Sequence, residues 1–144
     1  MTVTFFGHRI TPNEIKPRLM LVLRDLIENS QADTFYVGNQ GDFDRLVRQS
    51  LRELEKQYPH IRYNVVLAYM PIRSGLDECR DFSDTIYPEG LEAVSPKNAI
   101  DRRNRWMLEK CDCAVVYITG VGNASTYGEL AEKMGKTVIN IAEK

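Results

Sequence analysis

The chain has 144 residues, of which 43% are hydrophobic and 27% are charged, and its net charge is −1 at pH 7. This length and composition predict one globular domain with a single core, and a net charge near zero argues against nucleic acid or an anionic membrane as partner. The chain has no apolar run of membrane-spanning length and no start resembling a signal peptide, so we expect a cytoplasmic protein.

A short β-type run at residues 3–6 predicts the first strand, which ends at Gly7, His8 and Arg9. An arginine directly after a strand and a glycine can offer its fork of donors to a phosphate, although a surface arginine is the alternative. We interpret His8 as structural support, with a hydrogen bond to a ribose hydroxyl as the alternative.

The first predicted helix begins with a hydroxyl at Thr11, a proline at Pro12 and a carboxylate at Glu14, which is the spacing of a capping box. An apolar stripe continues the helix to Ile27. Pro17 lies inside this pattern, and we expect it to distort the early helix because it lacks an N–H group.

The second predicted strand, Thr34–Val37, also runs into a glycine turn. This turn offers backbone donors and two side-chain amides that suit hydroxyls or a base edge, and it consists of Gly38, Asn39, Gln40 and Gly41. Asp42 and Asp44 follow at the start of a second amphipathic helix, where a carboxylate could equally serve helix capping alone.

A third strand is predicted at residues 64–69, and the long connection at 71–90 suggests a lid or a specificity segment. Ser95 and Pro96 then start a third helix that reaches about Lys110. Its side chains cover more than one face, so at most one or two of its arginines can reach a ligand. The candidates on this helix, each with solvent exposure or packing as the alternative, are Arg102, Arg103, Arg105 and Trp106.

Residues 114–118 predict a buried strand, followed by a glycine-rich turn and a helix that begins at Ser125 and stops near Gly135. Free N–H groups at that helix start would suit an anion, although an ordinary turn without a ligand remains the alternative. Glu129, one turn into the helix, is either a surface residue or a group that holds ribose hydroxyls or stabilises positive charge at the anomeric carbon of a sugar. The candidate ligand-binding residues of this turn are Gly120, Gly122, Asn123, Ala124, Ser125 and Thr126.

The chain has three cysteines, Cys79, Cys111 and Cys113, and two histidines. This set predicts neither a disulfide framework nor a conventional zinc site, so we expect no metal and no cofactor. Cys111 and Cys113 are expected to be small buried residues next to a strand.

Strands and helices alternate along the chain, with a last strand at residues 137–141, and the strands are continuous apolar runs. This pattern predicts a single α/β domain, a Rossmann-like doubly wound, mainly parallel sheet with helices on both faces. The turns after the strands should then open on one edge of the sheet, where such folds bind ligands.

Several segments together resemble small bacterial proteins of the SLOG superfamily, in particular its YpsA-like members, which share the GHR start. The segments that carry this resemblance are TFFGHR (4–9), YVGNQGDFD (36–44), VVLAYMP (65–71), DFSDTIYPEGLEAVSPKNAIDRRNRWM (81–107) and GKTVIN (135–140). The resemblance implies a Rossmann-like domain that binds a nucleotide-like small molecule, often as a homodimer, and that serves in several members as a sensor.

The LOG enzymes of this superfamily cleave a nucleoside monophosphate, and they use an arginine four residues before a methionine and a PGGxGTxxE loop. Arg103 stands four residues before Met107, and Glu129 stands three after Thr126, so both positions are kept. The proline and two glycines of the loop are replaced in this chain, which weakens the case for hydrolysis more than the case for binding.

The sequence therefore supports three hypotheses. The first is binding of a nucleotide or a nucleotide-derived signal, such as an ADP-ribose-type molecule, at the carboxyl ends of the strands. The second is a LOG-like phosphoribohydrolase in which Glu129 and Arg103 are catalytic. The third is binding of single-stranded DNA, against which the near-neutral charge argues.

Overall fold

The computed structural model describes residues 1–69, 85–120 and 122–142, and within them a six-stranded parallel sheet has the order β4-β3-β2-β1-β5-β6. The strands are β1 (Thr2–Gly7), β2 (Thr34–Val37), β3 (Arg62–Val66), β4 (Thr85–Ile86), β5 (Cys113–Tyr117) and β6 (Thr137–Asn140). The helices are α1 (Lys16–Asn29), α2 (Gly41–Gln57), α3 (Pro96–Lys110) and α4 (Asn123–Lys133). The predicted Rossmann-like α/β fold is confirmed.

Helices cover both faces of the sheet, and neighbouring residues of one strand point to different cores. Phe5 of β1 packs with the apolar sides of α1 and α2, whereas Phe6 packs with α3 and α4. Because both faces are covered, the central strands β1 and β5 carry apolar side chains on both sides.

The sheet reverses its winding direction between β1 and β5. β1 pairs with β2 on one side and with β5 on the other, where Gly7 lies opposite Tyr117. The chain therefore leaves β1 toward one face and leaves β5 toward the other. The loops after these two strands separate, and a crevice opens between them at the carboxyl edge of the sheet.

The predicted capping box at the first helix does not form. Thr11 donates its hydroxyl hydrogen to the backbone oxygen of His8 at 2.8 Å, and a short 3₁₀ turn, Asn13–Ile15, precedes α1. Because α1 begins only at Lys16, Pro17 lies in its first turn, where a helix needs no N–H donor. Pro17 therefore interrupts no hydrogen bond of α1, and the early part of the predicted helix is a 3₁₀ turn.

The third strand lies at Arg62–Val66, two to three residues before the prediction. Part of the predicted connection at 71–90 is the two-residue strand β4, which pairs with β3, and a 3₁₀ turn at Leu91–Ala93 follows. Residues 70–84, which make up most of the predicted lid, are outside the described residues.

The turns after β1 and β2 are held together by backbone contacts. The N–H group of Asp42 donates to the backbone oxygen of Arg9 at 2.7 Å. Gly41 has a φ of +85°, and a Cβ atom at this position would lie 2.7 Å from the Cα atom of Arg9. Gly41 is therefore required both by its backbone conformation and by the close approach of the first turn.

We predict that Gly41→Ala destabilises the protein more than Gly135→Ala does. Gly135 has a similar φ of +79°, but a Cβ atom there would meet no other described residue within 4 Å, so its substitution carries the backbone strain alone, about 1 kcal/mol. The clash at Gly41 should add about 1–3 kcal/mol to the loss of unfolding free energy in urea. Equal losses for the two variants would contradict the close contact between the turns.

Candidate functional site

A cavity of about 220 Å³ lies at the carboxyl end of β1, next to α3 and the start of α4. Its walls combine apolar side chains of the sheet and helices with polar and charged groups from the turns. The lining residues are Phe5, Phe6, Gly7, His8, Arg9, Gln40, Asp44, Ile100, Arg103, Asn104, Met107, Ala124 and Tyr127. The turns after β1 and β2 and the start of α4, which are far apart in sequence, all contribute to this cavity.

His8 connects the two sides of the crevice. Its Nε2 atom accepts a hydrogen bond from the N–H group of Thr119 at 3.0 Å, and its ring packs edge-on against Tyr117 with 5.7 Å between centroids. An accepting Nε2 assigns the ring proton to Nδ1 in the neutral form. The loops after β1 and β5 are thus bridged by one imidazole.

The turn after β2 contributes Gln40 to the cavity, while Asn39 is exposed and lies outside the lining. Gly38 is buried, and a Cβ atom there would lie 2.7 Å from Oδ2 of Asp44 and 2.8 Å from Nη1 of Arg103. The glycine therefore makes room for two charged side chains, whereas the sequence predicted only that its turn offers backbone donors to a ligand.

Arg103 forms the floor of the cavity and is only 2% exposed. Nη1 donates to the backbone oxygen of Val66 at 3.0 Å, and Nε donates to Oδ1 of Asn104 at 2.8 Å. These bonds hold the guanidinium group at the end of β3. The sequence offered three candidate arginines on α3. Arg103 is buried, whereas Arg102 and Arg105 are exposed.

Asp44 is the buried carboxyl group beside Arg103. Its Oδ2 atom accepts a hydrogen bond from the backbone N–H group of Gln40 at 3.0 Å, which closes the turn before α2. Burial raises the pKa of Asp44, and the charge of Arg103 opposes this rise. Burial likewise lowers the pKa of Arg103, and Asp44 opposes that change. Each group therefore stabilises the charged form of the other.

The start of α4 reaches the cavity through Ala124. Gly122, just before the helix, is exposed in an extended conformation, and a Cβ atom there would lie 4.0 Å from Cε1 of His8. Gly120 and Thr126 are exposed, and the N–H group of Thr126 is already bonded to the backbone oxygen of Gly122. Ser125 is half-buried and outside the lining, and the side chain of Asn123 is outside the described part of the structure.

Two other candidate residues lie apart from this cavity. Glu129 is exposed and does not line it, because the face of α4 that packs inward carries Ala124 and Tyr127. Trp106 packs against Tyr36 at 5.3 Å between ring centroids and lines a different cavity, next to Arg102 and Arg105. Neither residue is in position to contact a molecule held on the floor formed by Arg103.

Sequence reasoning did not single out Asn104 and Tyr127 as cavity residues. The hydroxyl of Tyr127 donates to Oδ1 of Asp101 at 2.6 Å, and burial together with this bond raises the pKa of Tyr127 to about 12. The bond ties α4 to α3 beside the cavity. The available signal was the helical spacing from Ala124, which places Tyr127 on the same face of α4.

The cysteine prediction is confirmed for Cys111 and Cys113, which are buried free thiols, and burial raises the pKa of each to about 11. Cys79 is outside the described residues. Within the part of the chain that the structure describes, no cluster of three His, Cys, Asp or Glu side chains could hold a metal ion. No helix among the described residues is long and apolar enough to cross a membrane.

Comparison with known proteins identifies a distant relative. The chain is 32% identical over 118 residues to a protein of Buchnera aphidicola subsp. Schizaphis graminum (strain Sg) named NH(3)-dependent NAD(+) synthetase. The matched region is 77% of this chain but 44% of the relative, so the chain spans less than half of that protein's length. No family model matches the chain.

We predict that Arg103→Met lowers the free energy of unfolding by about 3–5 kcal/mol, because it removes the cation whose charge acts most strongly on the buried carboxyl of Asp44. Arg102→Met is the matched control, since Arg102 is the preceding residue and is exposed. Its effect should stay within about 0.5 kcal/mol. If urea denaturation gives the same stability for both variants, the guanidinium of Arg103 does not have the buried role described here.

Proposed function

We propose that this protein binds a nucleotide or a nucleotide-derived small molecule in the cavity at the carboxyl edge of its sheet. The observation that carries the proposal is that three segments distant in sequence meet at one cavity with polar and charged groups in its walls. These segments are the turn after β1, the turn after β2 and the start of α4. In doubly wound folds this is the location where ligands bind.

The rim of the cavity offers the features that an anionic group needs. Arg9 is exposed and lines the cavity, and it can swing its guanidinium toward a phosphate without first leaving a buried position. Ala124 brings the first turn of α4 to the same cavity, where helix N–H groups and the positive end of the helix dipole favour an anion. We therefore assign the phosphate to Arg9 and the start of α4.

Two comparisons support a nucleotide-derived ligand. The relative's name includes NAD(+), which is a dinucleotide, and its similarity covers most of this chain. The resemblance to the SLOG superfamily points to nucleotide-like ligands as well. On that resemblance we further propose that the protein acts as a sensor or a sequestering protein in the cytoplasm. We also propose that it forms a homodimer or a higher homo-oligomer, which sedimentation analysis can test.

We expect one or more members of a nucleotide panel, including AMP, ADP-ribose and its cyclic forms, to raise the melting temperature by about 5–10 °C at a hundredfold excess over Kd. Arg9→Ala should weaken binding of that ligand about tenfold or more, because a charge-assisted hydrogen bond is lost. Arg45→Ala is the matched control, since Arg45 is exposed, pairs with Asp42 and lies outside the cavity.

A melting temperature that no nucleotide raises would contradict the proposal. If a nucleotide binds and Arg9→Ala does not weaken its binding, the protein still binds nucleotides, but the assignment of the phosphate to Arg9 is wrong.

The hydrolase alternative has less support in the geometry, because Glu129 is exposed and outside the cavity. Asp44 is the carboxylate among the described residues that line it. We predict that Glu129→Gln behaves like Glu132→Gln, a neighbouring exposed glutamate on the same helix, when AMP is incubated with each variant and free adenine is measured. If the wild type releases adenine, and Glu129→Gln abolishes this release while Glu132→Gln does not, the hydrolase is established.

Binding of single-stranded DNA remains the third hypothesis. It requires affinity for an oligonucleotide that falls steeply with salt concentration.

A further inference from the structure

The floor of the cavity differs from its rim, because it contains a buried cation close to a buried anion. Asp44 is 8% exposed and Arg103 is 2% exposed. Their Oδ2 and Nη1 atoms lie 2.7 Å and 2.8 Å from the same point, the place where Gly38 would carry a Cβ atom. The two groups are therefore close neighbours, and their opposite charges compensate each other at the cavity surface.

Each of the two side chains has one atom left over for a ligand. Oδ2 of Asp44 is used by Gln40, and Nε and Nη1 of Arg103 are used by Asn104 and Val66. Oδ1 of Asp44 and Nη2 of Arg103 make no hydrogen bond to the described residues. No fully buried side-chain nitrogen or oxygen in those residues lacks a partner, so these two atoms keep some accessible surface, and both residues line the cavity.

We propose that Asp44 and Arg103 act together as a specificity element that binds an uncharged part of the ligand, one that presents a hydrogen-bond donor beside an acceptor. Oδ1 of Asp44 accepts from the donor, and Nη2 of Arg103 donates to the acceptor. This inference rests on the proposed function, and it assigns Arg103 a role different from the phosphate contact that the LOG resemblance implies.

The charges explain why a phosphate does not fit on this floor. A phosphate placed against Nη2 of Arg103 would also lie near the carboxylate of Asp44, and two anions in a site shielded from water repel strongly. Arg48, a further cation whose charge acts on Asp44, donates to the backbone oxygen of Gly38 and is outside the cavity lining. The floor therefore favours a neutral polar group, and the anion remains at the rim with Arg9.

Two parts of a nucleotide present a donor beside an acceptor: the vicinal hydroxyls of ribose and the hydrogen-bonding edge of the base. The test uses the four ribonucleoside monophosphates, their 2′-deoxy counterparts and inorganic phosphate, titrated calorimetrically into the wild type, Asp44→Asn and Asp42→Asn. Asp42 is the matched control, because it lies in the same first turn of α2 and its oxygens are held by Arg45 and by the N–H group of Thr11.

The wild type should lose about tenfold or more in affinity when the 2′-hydroxyl is removed, if ribose is the group bound, or when the base is exchanged, if the base edge is bound. Asp44→Asn should abolish that discrimination. The same variant should bind inorganic phosphate about tenfold more tightly than the wild type, because Arg103 is no longer compensated. Asp42→Asn should match the wild type in every titration.

Two results would overturn the inference. One is that the wild type binds nucleotides with an affinity that depends neither on the 2′-hydroxyl nor on the base. This result can be obtained without any variant. The other is an Asp44→Asn protein, folded by its circular dichroism and melting curve, that keeps the wild-type discrimination and phosphate affinity. The asparagine oxygen can still accept from Gln40, so the turn is expected to remain intact.

The phosphate titration separates this inference from the proposed function. If no nucleotide binds the wild type, the proposed function fails. Inorganic phosphate then tests whether Asp44 compensates the charge of Arg103. A higher phosphate affinity in Asp44→Asn than in the wild type supports this compensation, and an unchanged affinity overturns it.

Discussion

The structure depends on one topological constraint, the reversal of winding between β1 and β5. Two adjacent parallel strands whose connections leave toward opposite faces cannot close the space above their carboxyl ends. The backbone around that space is held by short contacts between elements, such as the bond from Asp42 to Arg9 and the imidazole of His8 between the two loops. The crevice is thus a consequence of the fold, and the turns only determine its chemistry.

The rim and the floor of the cavity differ in charge. The rim carries a cation, Arg9, whereas the opposite charges of Asp44 and Arg103 compensate each other on the floor. Arg9 at the rim is exposed, so solvent weakens its field but leaves it free to move to an anion. Arg103 on the floor is held by Val66 and Asn104 and compensated by Asp44, so it is oriented before any ligand arrives. A site built in this way can combine general attraction for phosphate at its mouth with selection of a neutral group inside.

Much of the fold could be predicted from the sequence, because the signals were local. The strand Thr34–Val37 is an apolar run that ends at a glycine, and α3 begins at the predicted Ser95 and Pro96. β4 was not predicted, because two residues are too few to show a periodic pattern. Its strand conformation depends on its pairing with β3. The meeting of the turns after β1 and β2 could be predicted from the parallel sheet, whereas the predicted glycine turn after β5 does not line the cavity and only Ala124 of α4 reaches it.

The parts of the site that escaped prediction depend on side-chain direction. A carboxylate at position 44 has the pattern of a helix-start residue, and only the packing shows that it is buried against Arg103. Glu129 is five residues after Ala124, about 140° around the helix, so a motif match could not place it in the cavity. The roles of Gly38 and Gly41 were likewise set by neighbours distant in sequence.

Backbone amide chemical shifts, measured by NMR during titration with AMP or a tighter nucleotide, test whether the cavity at the carboxyl end of β1 binds the ligand. We expect the shifts to move together in three distant segments: at His8 and Arg9, at Gln40, and at Ala124 and its neighbours in α4. Shifts that leave these segments unchanged and are confined to the cavity around Trp106 would contradict it.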